Sequence, residues 1–138
     1  MFVDASAIVA ILKGEPDADE LIARLDDHDG DILVSPLVLL EAVAGIARTP
    51  AGVRRPTPDQ FAEAEVTVRA FLARLGARMV AITTEVGDAA IGAGRTYGKF
   101  VGHPADLNFG DCYAYACATV HRVPLLYKGN DFAQTDLA

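Results

Sequence analysis

The chain has 138 residues, 51% of them hydrophobic, and a formal net charge of −7 at pH 7. This length predicts one domain over residues 1–138 with a real core, and the apolar share, about 60% once glycine is included against a usual 45–50%, indicates a surface for a protein partner or a homodimer. The acidic balance argues at first against nucleic acid, although eight of the 12 basic residues lie between Arg48 and Lys99.

The first third of the chain predicts two strands and three helices. Its opening segment, MFVDASAIVAIL, carries a charge at position 4 and no basic leader, so it predicts no signal peptide. The strands are residues 2–4 and 31–34, and the helices are residues 6–13 capped by Ser6, residues 17–27, and a segment that begins at Pro36 after a Ser35 cap.

The rest of the chain predicts three more helices and two more strands. Residues 49–58 are a predicted loop, followed by a helix that Thr57 and Gln60 open with a capping box and that ends at Gly76. The remaining predicted elements are a strand at 78–82, a helix at 84–97, a loop at 98–107, a helix opened by Asn108 and a strand at 123–127.

Short apolar strands that alternate with helices predict an α/β fold with a parallel sheet covered on both faces. Sheets of this kind bind ligands beyond the carboxyl ends of their strands. The longest apolar stretch, ILVSPLVLLEAVAGIA, contains a proline and a glutamate and is too short to span a bilayer. We therefore expect a soluble cytoplasmic protein. Its two cysteines and three histidines have no disulfide or zinc spacing.

Four acidic residues are placed by this topology at the same edge of the sheet. Asp4 follows the first strand directly, and Asp131 comes four residues after the last one. Glu41 lies in an apolar segment about two turns into the helix after the second strand, and Asp111 opens the helix that leads into the last strand. No lysine or arginine lies within three residues of the first three acids in chain order. Carboxylates without cationic partners favour Mg²⁺ or Mn²⁺.

Each acid also has a structural interpretation. Asp4 and Asp131 are acceptable turn residues, and Glu41 could lie at a helix rim or pair with Arg48. Asp111 can close a capping box with Asn108 and complement the helix dipole. One common site explains the four positions together, whereas the structural interpretations require four separate coincidences.

The segments that carry these acids are VDASAIVAIL, SPLVLLEAVAGI, LNFGDCYAYACA and LLYKGNDF. They resemble the four acidic motifs of PIN-domain ribonucleases, and most closely those of the VapC toxins of bacterial toxin–antitoxin pairs. The resemblance extends from Phe2 to the loop after the last strand. It implies a PIN-like three-layer α/β/α fold, with a short parallel sheet flanked by helices, and a metal-dependent endoribonuclease activity.

The resemblance also implies which side chains form the site. The catalytic and metal-binding residues would be Asp4, Glu41, Asp111 and Asp131, holding one or two Mg²⁺ or Mn²⁺ ions. Asp4 and Asp111 would be the main ligands. Glu41 and Asp131 would bind through water, complete a second site or help to take the proton of the attacking water. Ser6 and Asn108 would be supporting polar groups, and Asn130 is an adjacent competitor of Asp131.

Partners follow from the same resemblance. It implies an RNA substrate, a homodimer, and a small antitoxin protein that covers an apolar groove and the acidic site. RNA phosphates require basic contacts, for which the candidates are Arg95, Lys99, Arg48, Arg54 and Arg55. In the structural interpretation these five are ordinary surface charges.

Two other functions are compatible with parts of the pattern. A phosphatase of the haloacid-dehalogenase type also uses Mg²⁺ on a doubly wound sheet, but it requires a second aspartate two residues after the first, where this chain has Ser6. The other alternative is a catalytically silent, partner-binding domain with a structural metal. RNA cleavage with and without EDTA distinguishes it from a ribonuclease.

Overall fold

Four two-residue strands form one parallel sheet in the computed structural model, which describes residues 1–48 and 55–137. The strands are β1 (Phe2–Val3), β2 (Leu33–Val34), β3 (Arg78–Met79) and β4 (Leu125–Leu126), in the order β3-β2-β1-β4. Every strand pair is parallel, and Phe2 is in register with both Leu33 and Leu125. All four strands lie within the segments predicted for them.

Six α-helices in the described part of the chain surround the sheet in the predicted α/β/α arrangement. They are α1 (Ala5–Lys13), α2 (Ala18–Asp26), α3 (Pro36–Ala47), α4 (Pro58–Arg74), α5 (Thr84–Tyr97) and α6 (Phe109–His121). Helix α1 packs on α2 and α3, α4 packs on α3, and α6 packs on α5, α3 and the central strand β1. The fold class predicted from the sequence is confirmed.

Burial differs between the centre of the sheet and its β3 edge. The residues of β1, β2 and β4 are buried, as expected for apolar strands between two helical layers. Arg78 and Met79 of β3 are exposed, although the next residue, Val80, is buried. The predicted parallel sheet between helical layers is confirmed, and its β3 edge is the less covered part, where the Arg78 side chain is 59% exposed and pairs with Asp31.

The helix starts follow the capping residues predicted from the sequence, with one exception. Ser35 caps α3, Thr57 and Gln60 form a capping box at α4, and Asn108 and Asp111 form one at α6. At α1 the predicted cap, Ser6, is wrong. The carboxylate of Asp4 accepts the Ser6 backbone N–H instead, because the aspartate already stands at the position before the first helical residue.

The predicted loop between α5 and α6 contains regular structure. Residues Lys99–Val101 form one turn of 3₁₀ helix, and Gly98 pairs with Leu107 in an isolated parallel bridge. The Lys99 N–H donates to the Leu107 carbonyl at 3.0 Å, and the Leu107 N–H donates to Tyr97 at 3.2 Å. These bonds hold the N-terminus of α6 beside the end of α5. The predicted loop at 49–58 lies mostly outside the described residues.

Candidate active site

Asp4 is the most enclosed of the predicted site residues. Its backbone N–H donates to the Leu126 carbonyl at 2.8 Å, which fixes the end of β1 against β4. Its side chain is only 5% exposed, and Oδ2 accepts both the Ser6 N–H at 2.9 Å and the Ser6 hydroxyl at 2.5 Å. Burial raises the pKa of Asp4, the bonds from Ser6 oppose this, and the charge of Asp131 adds to it.

Glu41 lies half-buried in the second turn of α3, in a segment that is otherwise apolar. Burial and then the negative charges of Asp4 and Asp111 raise its pKa to about 7. The alternative of pairing with Arg48 is not borne out, since the ion pairs found within residues 1–48 and 55–137 do not include Glu41.

The N-terminus of α6 lies directly against the Glu41 carboxylate. A methyl group at Gly110 would overlap Glu41 Oε1 and would lie 2.8 Å from Oε2. A side chain at this position would therefore displace the Glu41 carboxylate from the helix N-terminus. The glycine in the first turn of this helix is the sequence signal for the close approach, since a glycine within a helical pattern usually has a packing reason.

Asp111 combines the capping role with a place at the same site. Its Oδ2 accepts the Asn108 N–H at 2.7 Å, and Asn108 Oδ1 accepts the N–H groups of Gly110 and Asp111 at 2.7 and 3.2 Å. The pKa of Asp111 is raised to about 6, mainly by burial, while the hydrogen bond from the Asn108 N–H lowers it. The negative charges of Asp4 and Asp131 also raise this pKa, and the positive charge of Lys99 lowers it. The capping interpretation is confirmed, and the hydrogen bond from Asn108 occupies one of the two carboxylate oxygens of Asp111.

Asp131 is the exposed member of the group. It lies in the loop after β4, directly before Phe132, which is 1% exposed and packs on the Tyr127 ring at 4.8 Å. The negative charge of Asp131 contributes to the raised pKa values of both Asp4 and Asp111.

The charges of these residues act on one another's neighbourhood, since Asp131 affects Asp4 and Asp111, and Asp4 and Asp111 affect Glu41; we call Asp4, Glu41, Asp111 and Asp131 the acidic edge. No described ion pair involves any of them. In the part of the chain that the structure describes, no three His, Cys, Asp or Glu side chains form a ready-made metal cage. Mg²⁺ does not need such a cage, because it binds through one or two carboxylates and retains waters. An oxygen-only donor set without a cationic partner fits Mg²⁺ or Mn²⁺.

The supporting polar groups differ in their contacts. The Ser6 hydroxyl joins two parts of the site, since it donates to Asp4 and accepts the backbone N–H of Lys128 at 3.0 Å. Asn108 is the cap of α6. Asn130 is exposed, and its carbonyl accepts the Ala133 N–H at 3.0 Å in the turn that follows. The Ser6–Lys128 contact was not predicted, because the two residues are 122 positions apart.

The five basic candidates are not equivalent. Lys99 is the one whose charge lowers the pKa of Asp111, so it lies next to the acidic edge. Arg95 lines an apolar groove of about 380 Å³ between α5 and α6. Arg48 lies at the end of α3 beside α4, and Arg55 is exposed at the start of the next described segment. Arg54 lies outside the described residues.

Known proteins resemble this chain over nearly its whole length. The PIN domain family model matches residues 1–137. A VapC ribonuclease of Rhizobium meliloti is 48% identical over 139 aligned positions, which cover 99% of this chain and 98% of the relative.

Two solved structures share the fold. A chain of a toxin–antitoxin complex from Klebsiella pneumoniae aligns with a TM-score of 0.68 at 16% identity, covering 99% of this chain and 92% of the other. VapC20 of Mycobacterium tuberculosis, a toxin that cleaves the sarcin-ricin loop, aligns with a TM-score of 0.65 at 18% identity, covering 96% and 92%.

An α/β/α fold with acids gathered at the carboxyl edge of its sheet defines the class of protein, and the matches define the family. The chain belongs to the PIN-domain family, with VapC proteins as its relatives. Within the described residues, the structure contains no helix with the length and apolar character needed to cross a membrane.

Proposed function

We propose that this protein, a single PIN-like domain over residues 1–138, is a Mg²⁺- or Mn²⁺-dependent endoribonuclease and the toxin of a toxin–antitoxin pair. The observation that carries the proposal is the acidic edge. Its carboxylates come from four separate segments and have no described ion-pair partner, and the pKa values of Asp4, Glu41 and Asp111 are raised by burial and by the charges of other members. The activity named for the Rhizobium meliloti relative supports the choice of RNA as substrate. A cytoplasmic location follows from that substrate.

Asp4 and Asp111 would be the main ligands of the ion. Ser6 holds one oxygen of Asp4, and the Asn108 N–H holds one oxygen of Asp111, so each carboxylate keeps a fixed orientation. When bound, the ion lowers the pKa of a coordinated water and offsets negative charge on the scissile phosphate. Glu41 and Asp131 complete the site, bind through water, or accept the proton that the water loses.

Among the basic candidates, Lys99 is the favoured contact for an RNA phosphate because of its place beside Asp111. Replacing it with alanine should weaken RNA binding and flatten the salt dependence of the affinity, since each phosphate contact releases counterions. Arg74→Ala, at an exposed position outside the five candidates, is the matched control. An unchanged salt slope for Lys99→Ala would place the RNA elsewhere.

The exposed face of α5 supports a homodimer. Ile91 is 71% exposed, and the neighbouring outward positions along this face are Asp88 and Arg95, two helical turns apart. In an antiparallel two-fold pairing of α5 centred beside Ile91, each Asp88 faces Arg95 of the second copy. An isologous interface requires this self-complementarity. The same pairing would remove Arg95 from the set of RNA contacts.

Charge reversal tests this interface. Asp88→Arg should place like charges opposite each other and give monomers by light scattering, and the double variant Asp88→Arg with Arg95→Asp should restore the dimer. A double variant that stays monomeric would contradict the pairing.

For the antitoxin we propose the apolar cleft between α3 and α4. Leu40 is 56% exposed there, next to Glu41, and Leu39 and Phe61 contribute to the lining.

Metal removal tests the central proposal. The purified protein should cleave structured RNA with Mg²⁺ or Mn²⁺, lose cleavage in EDTA, and regain it when the metal is returned in excess. RNA binding in EDTA, measured separately, shows whether the substrate still reaches the protein. Cleavage that persists in EDTA would refute the metal-dependent mechanism. Metal binding without cleavage of any RNA would favour the catalytically silent, partner-binding alternative.

A further inference from the structure

The loop that carries Asp131 has an anchor on each side of the carboxylate. On the C-terminal side, the buried Phe132 ring is packed against Tyr127. On the N-terminal side, the Lys128 backbone N–H donates to the Ser6 hydroxyl at 3.0 Å. Between these anchors, Gly129 has a φ of +94°, and Asn130 and Asp131 are exposed. An exposed carboxylate on such a loop is oriented by its anchors and not by packing of its own.

The side chain of Lys128 provides a second tie on the same side. Its Nζ donates to the carboxylate of Glu15 and lies 3.9 Å from Asp17 Oδ2, in the turn between α1 and α2. The Lys128 and Glu15 side chains are each 31% exposed. The pair joins segments 113 residues apart. It is distinct from the local Glu65–Arg69 pair, which lies within one helix.

The Lys128 ammonium is the cation nearest in sequence to Asp131, yet the ion pairs described for it lead to Glu15 and Asp17 and not to the acidic edge. This arrangement has two consequences. It leaves the site negative, which a divalent ion requires, and it fixes the first residue of the loop at both its backbone and its side chain. Asp17, together with Glu20, Leu21 and Arg24 of α2, lines the pocket on the outer side of this contact.

We infer that Lys128, tethered by Glu15, is a positioning residue that holds Asp131 in place relative to Asp4 for metal binding. Ser6 is the link, because its hydroxyl contacts both the Asp4 carboxylate and the Lys128 backbone. The inference rests on the proposed metal site. It differs from a role in stability, since partly exposed ion pairs contribute little to folding.

Metal affinity is the first measurement, made by Mn²⁺ titration of the full-length protein without RNA. Lys128→Ala should weaken Mn²⁺ binding by about tenfold, the lower end of the range for groups that orient metal ligands. Lys128→Arg should retain most of the affinity, because it keeps the charge that Glu15 contacts. Arg78→Ala, which breaks the long-range pair with Asp31 on the β3 edge, is the matched control and should bind Mn²⁺ like the wild type.

A double-mutant cycle shows whether Lys128 acts through Asp131. Residues that act through one another are not additive. Lys128→Ala should therefore have little further effect on Mn²⁺ affinity in an Asp131→Asn background. In a second cycle, Lys128→Glu should be restored in part by Glu15→Lys. Additive losses with Asp131→Asn, or no restoration by the swapped pair, would overturn the inference.

Wild-type affinity in Lys128→Ala would also overturn it, while leaving the proposed function intact if Asp4→Asn still abolishes Mn²⁺ binding. If the wild type itself binds no Mn²⁺, the proposed function and the inference fall together. Circular dichroism and melting curves of each variant confirm that the protein is folded before its affinity is compared.

Discussion

Two regions of this protein are rich in carboxylates, and they differ in how the chain assembles them. Eight of the 19 acidic residues lie between Glu15 and Asp31, on and around α2, where side chains such as Asp19 are exposed. The acidic edge draws single residues from four distant segments, and Asp4 at its centre is almost fully buried. Water solvates the first group, whereas the second loses water and its members repel one another, which raises the pKa of Glu41 to about 7. A high density of charge along the sequence therefore does not mark a site. Carboxylates that come from distant segments and lose part of their hydration do.

The largest expected effect is on catalysis. Asp4→Asn and Asp111→Asn should each lower RNA cleavage by more than about 100-fold, beyond the loss caused by removing an outer partner of a metal ligand. A neutral amide keeps the shape of the side chain and coordinates Mg²⁺ far more weakly. Asp19→Asn, a charge lost from the exposed α2 region, should cleave at the wild-type rate. A near-wild-type rate for either site variant would remove the distinction between the two regions.

Gly110→Ala should displace Glu41 without touching any charge. The added methyl group overlaps Glu41 Oε1, so we expect a loss of cleavage of roughly 10-fold or more, as for other shifts of a positioned group. Gly87→Ala is the matched control, because a methyl group there meets nothing within 4 Å. That control should keep full activity and gain about 0.5–1 kcal/mol of unfolding free energy from better helix propensity. Equal activity in the two variants would show that the Glu41 carboxylate is not needed at the α6 N-terminus.

Thermal stability separates the two roles of Asp111. If its charge is repelled by the acidic edge, Asp111→Asn should raise Tm in EDTA by a few degrees, about the shift that 1 kcal/mol gives in a domain of this size. Its further gain from Mg²⁺ or Mn²⁺ should be small. A role limited to capping predicts the reverse: a lower Tm in EDTA and the full response to metal. Asp59→Asn, at the exposed start of α4, gives the size of a helix-dipole effect alone.

The smallest expected effect is the pH dependence of the metal-free protein. The pKa values of about 7 for Glu41 and about 6 for Asp111 lie above the usual carboxyl range. The folded state therefore holds protons that the unfolded state releases above about pH 4. The stabilisation that comes from these bound protons is fully present below about pH 4 and is lost as the pH rises through 6 and 7.

Melting curves in EDTA between pH 4 and pH 8 measure this loss. Glu41→Gln should flatten the curve, whereas Glu20→Gln, on the exposed α2 surface, should leave its slope unchanged. A wild-type protein whose unfolding free energy does not fall across this range would contradict the repulsion among the carboxylates of the acidic edge.

The order of the strands and helices could be predicted from the sequence, and so could the choice of the four acids, whose role as a site stays a prediction. Local rules were sufficient for the helix starts, since capping depends on neighbours within one turn, and Ser35, Thr57 and Asn108 cap as predicted. The order of strands and helices placed Asp4, Glu41, Asp111 and Asp131 at one edge, because parallel strands have their carboxyl ends on the same side of the sheet. The cap of α1 was missed because Asp4 and Ser6 are both good capping residues and only the backbone decides between them.

Contacts between distant segments could not be predicted from the sequence, because they depend on the packing of the folded chain. The approach of Glu41 to Gly110, the link from Ser6 to Lys128 and the pair of Lys128 with Glu15 join residues 69, 122 and 113 positions apart. The exposure of β3 likewise depends on its position at the edge of the sheet and not on the apolar residues of its segment. The raised pKa values could not be predicted from the sequence either. The pKa of a carboxyl group depends on its burial and on nearby charges in the folded protein, whereas the sequence shows only that the group is present.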